Sequence, residues 1–184
     1  TSGILLVAKK RSALKHLQEQ FRERGTGKTY LALVVGDWPA SKKVIDTPLH
    51  KYLLSGNEGS GGTGERRVKV VDRDDPDGMH SVTLVKIREL LVGFTLLEVT
   101  IKTGRTHQIR VHLASQGHAI AGDDKYGNFE LNKALQKKGL KRMFLHAWRL
   151  QFNHPVSGER IELHAGLPAE LENFVNHVNT PAPI

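Results

Sequence analysis

The chain has 184 residues, a formal charge of +8 and no cysteine. This length suits one domain with a real core, and the lack of cysteine excludes disulfide frameworks, thiolate metal sites and cysteine nucleophiles. No apolar run approaches the ~20 residues of a membrane span, and a reducing compartment, the cytoplasm, is the expected location. A sequence pI near 9.8 favours a polyanionic partner such as nucleic acid, with a merely solvated basic surface as the alternative.

The first half of the chain predicts strands around one helix. Residues 4–8 are expected to form a short apolar strand, and Ser12 is the expected N-cap of the helix that follows. Residues 28–36 are apolar on both faces of an alternating pattern, which is typical of a central strand. The Gly- and Ser-rich residues 55–64 predict a mobile loop between strands.

The second half of the chain predicts paired strands that alternate with helices. The predicted elements are strands at 80–89 and 94–102, a helix that Thr106 caps and that runs to about 116, a helix at 131–138, strands at 145–152 and 160–163, and a last helix opened by Pro168. The last helix carries one apolar stripe, made of Leu171, Phe174, Val175 and Val178. Strands outnumber helices and mostly follow one another in hairpins. The predicted class is therefore α+β, with a mixed, largely antiparallel sheet.

Two motifs suggest sites that their context argues against. Gly27-Lys28-Thr29 resembles the end of a phosphate-binding loop, but Arg22 stands where that loop needs glycine, and a helix precedes while a strand follows. His107 and His112 are five residues apart without the glutamate of a zinc helix. Neither a nucleotide-binding loop nor a metal site is therefore expected.

Residues 103–112 form the densest polar cluster of the chain. Arg105 falls where a strand gives way to a helix, and a helix N-terminus attracts phosphate. Arg110 lies among apolar neighbours, where a guanidinium favours a carboxylate partner. The residues alone leave a second interpretation open, in which this is a capped helix with ordinary surface charges.

Part of this polar cluster matches a known signature. The segment Gly104-Arg105-Thr106-His107-Gln108-Ile109-Arg110-Val111-His112 resembles the third signature of the RluA family of RNA pseudouridine synthases. Thr1-Ser2-Gly3 resembles the end of its first signature, His-Arg-Leu-Asp-x-x-Thr-Ser-Gly, and residues 28–36 resemble its second. Residues 124–127, 145–147 and 152–158 resemble its C-terminal blocks, so the likeness covers nearly the whole chain.

The resemblance implies a fold and an activity. The fold would be a long, bent, mixed central sheet with flanking helices. The activity would be isomerisation of uridine to pseudouridine in RNA, without cofactor or metal, on a base pulled out of its stack. The family members most like this chain act on large-subunit ribosomal RNA, which makes ribosomal RNA the implied partner.

The family's nucleophilic aspartate aligns three positions before Thr1, outside these 184 residues. Residues 1–184 are therefore expected to be a single catalytic domain that is incomplete at its N-terminus. They would lack both the upstream aspartate segment and an RNA-binding module. We expect such a chain to be inactive on its own.

The resemblance also implies roles for individual residues. Tyr30 would be the active-site tyrosine that packs on the target base, and Arg110 would pair with the nucleophilic aspartate and keep it ionised. Arg105, His107 and Lys28 would contact RNA, and Leu145 would line the uracil pocket. Asp123 lies outside the signatures, so Arg110 is expected to meet water or an anion here, in an open cavity shared with Tyr30.

Two other functions stay open at this stage. The same basic cleft could serve a non-catalytic RNA-binding module, or a histidine acid–base pair could cleave RNA. Release of tritium from carbon-5-labelled uridine separates isomerisation from both, and strand cleavage identifies a ribonuclease.

Overall fold

The computed structural model describes residues 1–23, 25–54 and 65–179. Its elements are β1 (Ser2–Gly3), α1 (Arg11–Arg22), β2 (Gly27–Val35), β3 (Val44–Asp46), β4 (Leu49–Leu54), β5 (Glu65–Val70), β6 (Val82–Leu90), β7 (Phe94–Ile101), α2 (Gln108–Ser115), α3 (Phe129–Lys137), β8 (Leu145–Asn153), β9 (Arg160–His164) and α4 (Ala169–Asn179). The predicted loop at 55–64 lies outside the described residues.

One mixed sheet organises the described chain. Its strand order is β1-β8-β2-β7-β6-β3, with β9 also paired to β8, while β4 and β5 form a separate two-stranded ribbon. The β1–β8 pairing is parallel and the pairings between the longer strands are antiparallel. The predicted α+β class with a mostly antiparallel sheet is confirmed.

Strand β2 is the centre of the sheet, as its two apolar faces predicted. It lies between β7 and β8, with Leu31 opposite Glu98 of β7 and His146 of β8. Residues 31–34 are at most 2% exposed, so both faces of the strand are covered. Each fully buried leucine contributes about 1.5–3 kcal/mol relative to an exposed one, which makes β2 a rigid base for any side chain that it carries.

Helix α4 covers the sheet with its predicted apolar stripe, whereas helix α1 buries one leucine against it. Leu171, Phe174 and Val175 of α4 are buried in the main core. Leu17 of α1 packs with Leu150 of β8 in a smaller cluster. Among the described residues, no helix combines the length and apolar character needed to cross a membrane.

The strand predicted at residues 4–8 is wrong, because only Ser2–Gly3 pair with β8. Gly3 has φ +105°, and a Cβ atom there would collide with the backbone of Ala147. From Arg149 onward, the edge of β8 is occupied by β9. The following residues therefore leave the sheet, although Ile4 and Leu6 still pack against the α1–β8 cluster.

Both predicted serine and threonine caps are also wrong. Helix α1 already includes Ser12, and Lys10 is at its N-cap position without a side-chain hydrogen bond. Helix α2 begins at Gln108, after His107 in a left-handed conformation with φ 52°. The Gln108 carboxamide explains the second case, because its oxygen accepts hydrogen bonds from the Thr103 hydroxyl and the Arg105 N–H.

The β4–β5 ribbon is held beside helix α2. Leu49 of β4, Val68 of β5 and Val111 of α2 form a buried cluster, against which Tyr126 also packs. The ribbon therefore flanks the start of α2, where the densest polar cluster of the sequence lies.

Candidate active site

An open cavity of about 370 Å³ lies where β2, β7 and β8 meet the start of α2. Its lining contains Thr1, Tyr30, Ile101, Arg105, His107, Gln108, Ile109, Arg110, Met143 and Leu145. Five of the six site residues proposed from the sequence are thus brought together: Tyr30, Arg105, His107, Arg110 and Leu145. Its volume is in the range of small-ligand sites in proteins.

Tyr30 reaches the cavity from the most rigid strand of the sheet. It is paired with Val99 of β7 and Ala147 of β8. The register against β8 shifts between Thr29 and Tyr30. Such irregularities change the direction in which a strand presents a side chain, and they are common beside active sites.

Lys28 is the proposed site residue that does not line the cavity. Its ammonium lies 5.8 Å from the centre of the Tyr30 ring and 5.7 Å from that of Phe21. These are cation–π distances, which contribute about 0.5–1 kcal/mol at an exposed site. Lys28 therefore lies beside Tyr30 and Phe21 of helix α1, outside the cavity lining.

Arg110 has a carboxylate partner within the chain, and the expectation that it would meet only water or an anion is wrong. Its Nε donates to Asp123 Oδ2 at 2.9 Å and its Nη2 donates to Asp123 Oδ1 at 2.7 Å. The Arg110 side chain is 14% exposed, and that of Asp123 is fully buried. Asp124, which is 89% exposed, lies 3.5 Å from the same Nη2.

Hydrogen bonds determine the charge state of Asp123. Burial alone would raise the pKa of this carboxyl, but hydrogen bonds from Arg110 and from the backbone N–H groups of Tyr126 and Lys125 outweigh it. The pKa of Asp123 is therefore lower than usual. The same ion pair raises the pKa of Arg110, against the effect of its burial. Both groups are charged at neutral pH.

A pH dependence of stability follows from this lowered pKa. The contribution of Asp123 is fully present above its unfolded-state pKa of about 3.9 and is lost as the pH falls through the lower folded-state value. Urea unfolding between about pH 5 and pH 2 should therefore show a steeper loss of stability for the wild-type chain than for Asp123→Asn, which cannot titrate there. Parallel pH curves for the two proteins would contradict this account.

The ion pair with Asp123 leaves one nitrogen of the Arg110 guanidinium free to form hydrogen bonds with another group. Nε and Nη2 donate to the carboxylate, whereas Nη1 makes no hydrogen bond to any of the residues that the structure describes. A planar guanidinium held along one edge presents its remaining N–H groups in a fixed direction. Arg110 can therefore bind a second acceptor in the cavity without losing the first.

Gln108 and His112, also in the third signature, have structural roles. The Gln108 side chain is buried and donates from Nε2 to the Val82 carbonyl oxygen at 3.0 Å. The His112 ring is hydrogen bonded to the Thr83 hydroxyl and the Thr47 carbonyl oxygen. These bonds fix α2 against β6. No cluster of metal-binding side chains is found within residues 1–23, 25–54 and 65–179.

Sequence reasoning missed Asp123 and Tyr126, whose side chains contact Arg110 and His107 and hold them in place. The Tyr126 hydroxyl lies 2.8 Å from His107 Nδ1, and the Arg110 guanidinium lies 5.2 Å from the centre of the Tyr126 ring. The sequence assigns residues 124–127 only to a segment that resembles a C-terminal block of the RluA family. The apolar surroundings of Arg110 were the signal for a nearby carboxylate, but nothing local pointed to Asp123, thirteen residues away.

Comparison with known proteins identifies the family of this chain. The pattern of the family described as RNA pseudouridylate synthase matches residues 1–115. The chain belongs to this family. A ribosomal large subunit pseudouridine synthase C from Vibrio cholerae is 48% identical over 172 residues, which are 94% of this chain and 50% of the relative. One of the same name from Yersinia pestis is 47% identical over 94% of this chain and 51% of the relative.

Solved structures show the same fold. The human RNA pseudouridylate synthase domain containing 4 matches 95% of this chain and 70% of its own, with a TM-score of 0.71 and 23% identity. The human domain containing 1 matches 97% of this chain and 76% of its own, with a TM-score of 0.64 and 27% identity. By contrast, the chain spans about half the length of the curated relatives it matches.

Proposed function

We propose that the protein to which this chain belongs isomerises uridines to pseudouridine in RNA. The observation that carries this proposal is the meeting of Tyr30 and Arg110 in one open cavity, in a chain of the pseudouridylate synthase family. Ribosomal RNA of the large subunit is the proposed substrate, because relatives nearly half identical to this chain are named for it. The chemistry requires neither cofactor nor metal.

The reaction exchanges one bond of the uracil for another. The bond between ribose C1′ and uracil N1 breaks, the base rotates and a bond from C1′ to C5 forms. C5 then releases its proton and N1 takes one up, so that the product is an isomer of the substrate. An aspartate is the proposed nucleophile, from a His-Arg-Leu-Asp motif three positions upstream of Thr1. Tyr30 would pack on the displaced base from its rigid strand, and Leu145 would provide an apolar wall of the uracil pocket.

Arg110 is suited to hold the proposed nucleophile in its ionised form. Asp123 fixes one edge of the guanidinium, and the free Nη1 is available to a second carboxylate. Thr1 also lines the cavity, so a carboxyl group a few residues upstream would lie near Arg110. The positive charge of the guanidinium would lower the pKa of that carboxyl group.

Positive charge at the rim would bind the RNA backbone. Arg105 donates from Nε to the His80 carbonyl oxygen at 3.1 Å, and it is part of the cavity lining. We assign Arg105 to a phosphate, His107 to the RNA within the cavity, and Lys28 to RNA beside Tyr30 outside the cavity. This division follows the positions of the three side chains around Tyr30.

Tritium release from RNA that contains [5-³H]uridine tests the proposed activity. The 184-residue chain should release none, and a chain extended upstream by a segment with His-Arg-Leu-Asp should release it. The matched control is the same extension with alanine in place of that aspartate, which should be inactive. RNA binding without release by the extended chain would show a non-catalytic binding module, and cleaved RNA would show a ribonuclease.

A salt dependence tests the assignment of Arg105. Each phosphate contact contributes about 0.7–0.9 to the slope of log affinity against log salt, so a handful of contacts should weaken binding by roughly tenfold or more between low and moderate salt. Arg105→Ala should reduce that slope by about one contact. Arg88→Ala is the control, because Arg88 pairs with Glu98 and is not part of the cavity lining. Equal slopes for both variants would contradict the assignment.

A further inference from the structure

The imidazole of His107 is held from one side by Tyr126. Nδ1 lies 2.8 Å from the Tyr126 hydroxyl oxygen, and the two rings meet edge to face with 5.6 Å between their centres. The same hydroxyl oxygen accepts a hydrogen bond of 3.0 Å from the backbone N–H of Val68 in β5. Tyr126 therefore connects the ribbon to the residue that precedes helix α2.

The partners of the Tyr126 hydroxyl favour one arrangement of the protons. Because the tyrosine oxygen already accepts from Val68, its own proton is available for donation, and His107 Nδ1 is its hydrogen-bond partner in the described part of the chain. A neutral imidazole carries its proton on one nitrogen when the other accepts a hydrogen bond. With the tyrosine hydroxyl as donor, Nδ1 accepts and the proton of the ring lies on Nε2. Nε2 makes no hydrogen bond with the residues described, and His107 lines the cavity.

We propose that Tyr126 is a positioning residue, which fixes His107 as a neutral imidazole whose Nε2–H donates to an oxygen of the bound RNA. This inference rests on the proposed function, since it assigns a donor and an orientation within the same cavity. It gives Tyr126 a role although that residue lies outside the cavity lining.

The charges around His107 favour its neutral form. Burial is the largest cause that lowers the pKa of His107, and the positive charges of Arg110 on α2 and of Lys125 lower it further. Asp123 acts in the opposite direction, and Lys51 of the ribbon adds to the lowering. The pKa of His107 is therefore below its ordinary value, and the ring stays unprotonated near neutral pH.

The backbone at His107 is also constrained. With φ 52°, it is the only residue other than glycine with a positive φ among those the structure describes. Such a conformation costs free energy and persists only where surrounding contacts enforce it, and it occurs frequently at functional sites. Here the bond to Tyr126 and the first turn of α2 hold the residue on either side.

The tautomer of His107 tests the inference directly. Long-range ¹H–¹⁵N spectra of the 184-residue chain, with labelled histidine, should show the proton on Nε2 and none on Nδ1. Tyr126→Phe keeps the ring beside Arg110 but removes the hydroxyl, and should give a mixture of tautomers. Tyr52→Phe, in the ribbon that Tyr126 contacts, is the control and should match the wild type. A proton on Nδ1 in the wild-type chain would overturn the inference, even if Tyr126→Phe does not fold.

RNA binding by the same variants tests the role of the donor. Tyr126→Phe should weaken binding to a uridine-containing RNA loop by about fivefold to tenfold, as expected for one hydrogen bond. In a His107→Ala background it should cause no further loss, because Tyr126 acts through His107. His107→Gln, which retains an N–H donor, should recover part of the affinity and be insensitive to Tyr126→Phe.

Two binding results would overturn the inference. One is an unchanged RNA affinity in Tyr126→Phe. The other is a loss of affinity in the Tyr126→Phe, His107→Ala double variant that equals the sum of the losses in the two single variants. Tritium release by the extended chain decides the proposed function independently of both results. A wrong tautomer with tritium release would remove only the role of Tyr126, whereas the expected tautomer and affinities without release would leave a binding site and remove the isomerase.

Discussion

Asp123→Ala is expected to destabilise the fold by about 3–5 kcal/mol, because it leaves the guanidinium of Arg110 without its buried partner. The wild-type carboxylate is fully buried and accepts two hydrogen bonds from Arg110, at 2.9 and 2.7 Å. It also accepts from the backbone N–H groups of Lys125 and Tyr126, so the turn that carries Tyr126 should loosen as well. Urea unfolding at neutral pH measures the difference.

Asp124→Ala is the matched control for this change. Asp124 is adjacent in sequence and lies 3.5 Å from Arg110, but its side chain is 89% exposed. An exposed ion pair contributes about 0–1 kcal/mol, so this variant should remain close to the wild type. Equal effects of the two substitutions would show that burial of the pair is not what stabilises this region.

Tyr30→Ala is expected to abolish turnover in the upstream-extended chain while leaving much of the RNA affinity. Tyr30 is the aromatic ring in the cavity lining, on a strand fixed by pairing on both sides. Loss of the ring removes the surface on which the displaced base would pack, whereas the basic residues at the rim remain. Tritium release measures turnover, and a filter-binding assay measures affinity.

Tyr30→Phe separates the ring from the hydroxyl. If Tyr30 acts mainly by packing, the phenylalanine variant should retain turnover that the alanine variant loses; if the hydroxyl handles a proton, both should lose it. Thermal unfolding of both variants serves as the folding control, because Tyr30 also packs against the main core. Wild-type turnover in Tyr30→Ala would remove this residue from the active site.

The sequence by itself determined the features that depend on local pattern. Alternation of apolar residues on both faces identified β2 as central, and the apolar stripe of α4 identified its buried residues. The third signature also brought Arg105, His107 and Arg110 together, because they lie within six residues at the start of one helix. Such features survive folding because the geometry of a strand or helix dictates which side chains share a face.

Only the tertiary structure decided how those elements compete and combine. Residues 4–8 have the composition of a strand, but β9 occupies the edge of β8 that they would need. Thr106 is a good N-cap by type, but the buried Gln108 carboxamide binds the preceding backbone instead. In the first case a strand from elsewhere in the fold outweighs the local preference. In the second the competing side chain is close in sequence, but it is held by hydrogen bonds to Val82 and Thr83 of β6, and it outweighs a cap preference of about 1 kcal/mol.

The hydrogen-bond partners of the site residues could not be predicted from the sequence either, because they depend on tertiary contacts. Arg110 finds Asp123 thirteen residues away, and Tyr126 joins His107 to Val68, which lies fifty-eight residues earlier in the chain. No periodicity relates these positions, because they meet only when the turn after α2 folds back against the ribbon. The sequence therefore identified five of the side chains that line the cavity, while tertiary packing determined the partners that hold Arg110 and His107 in place.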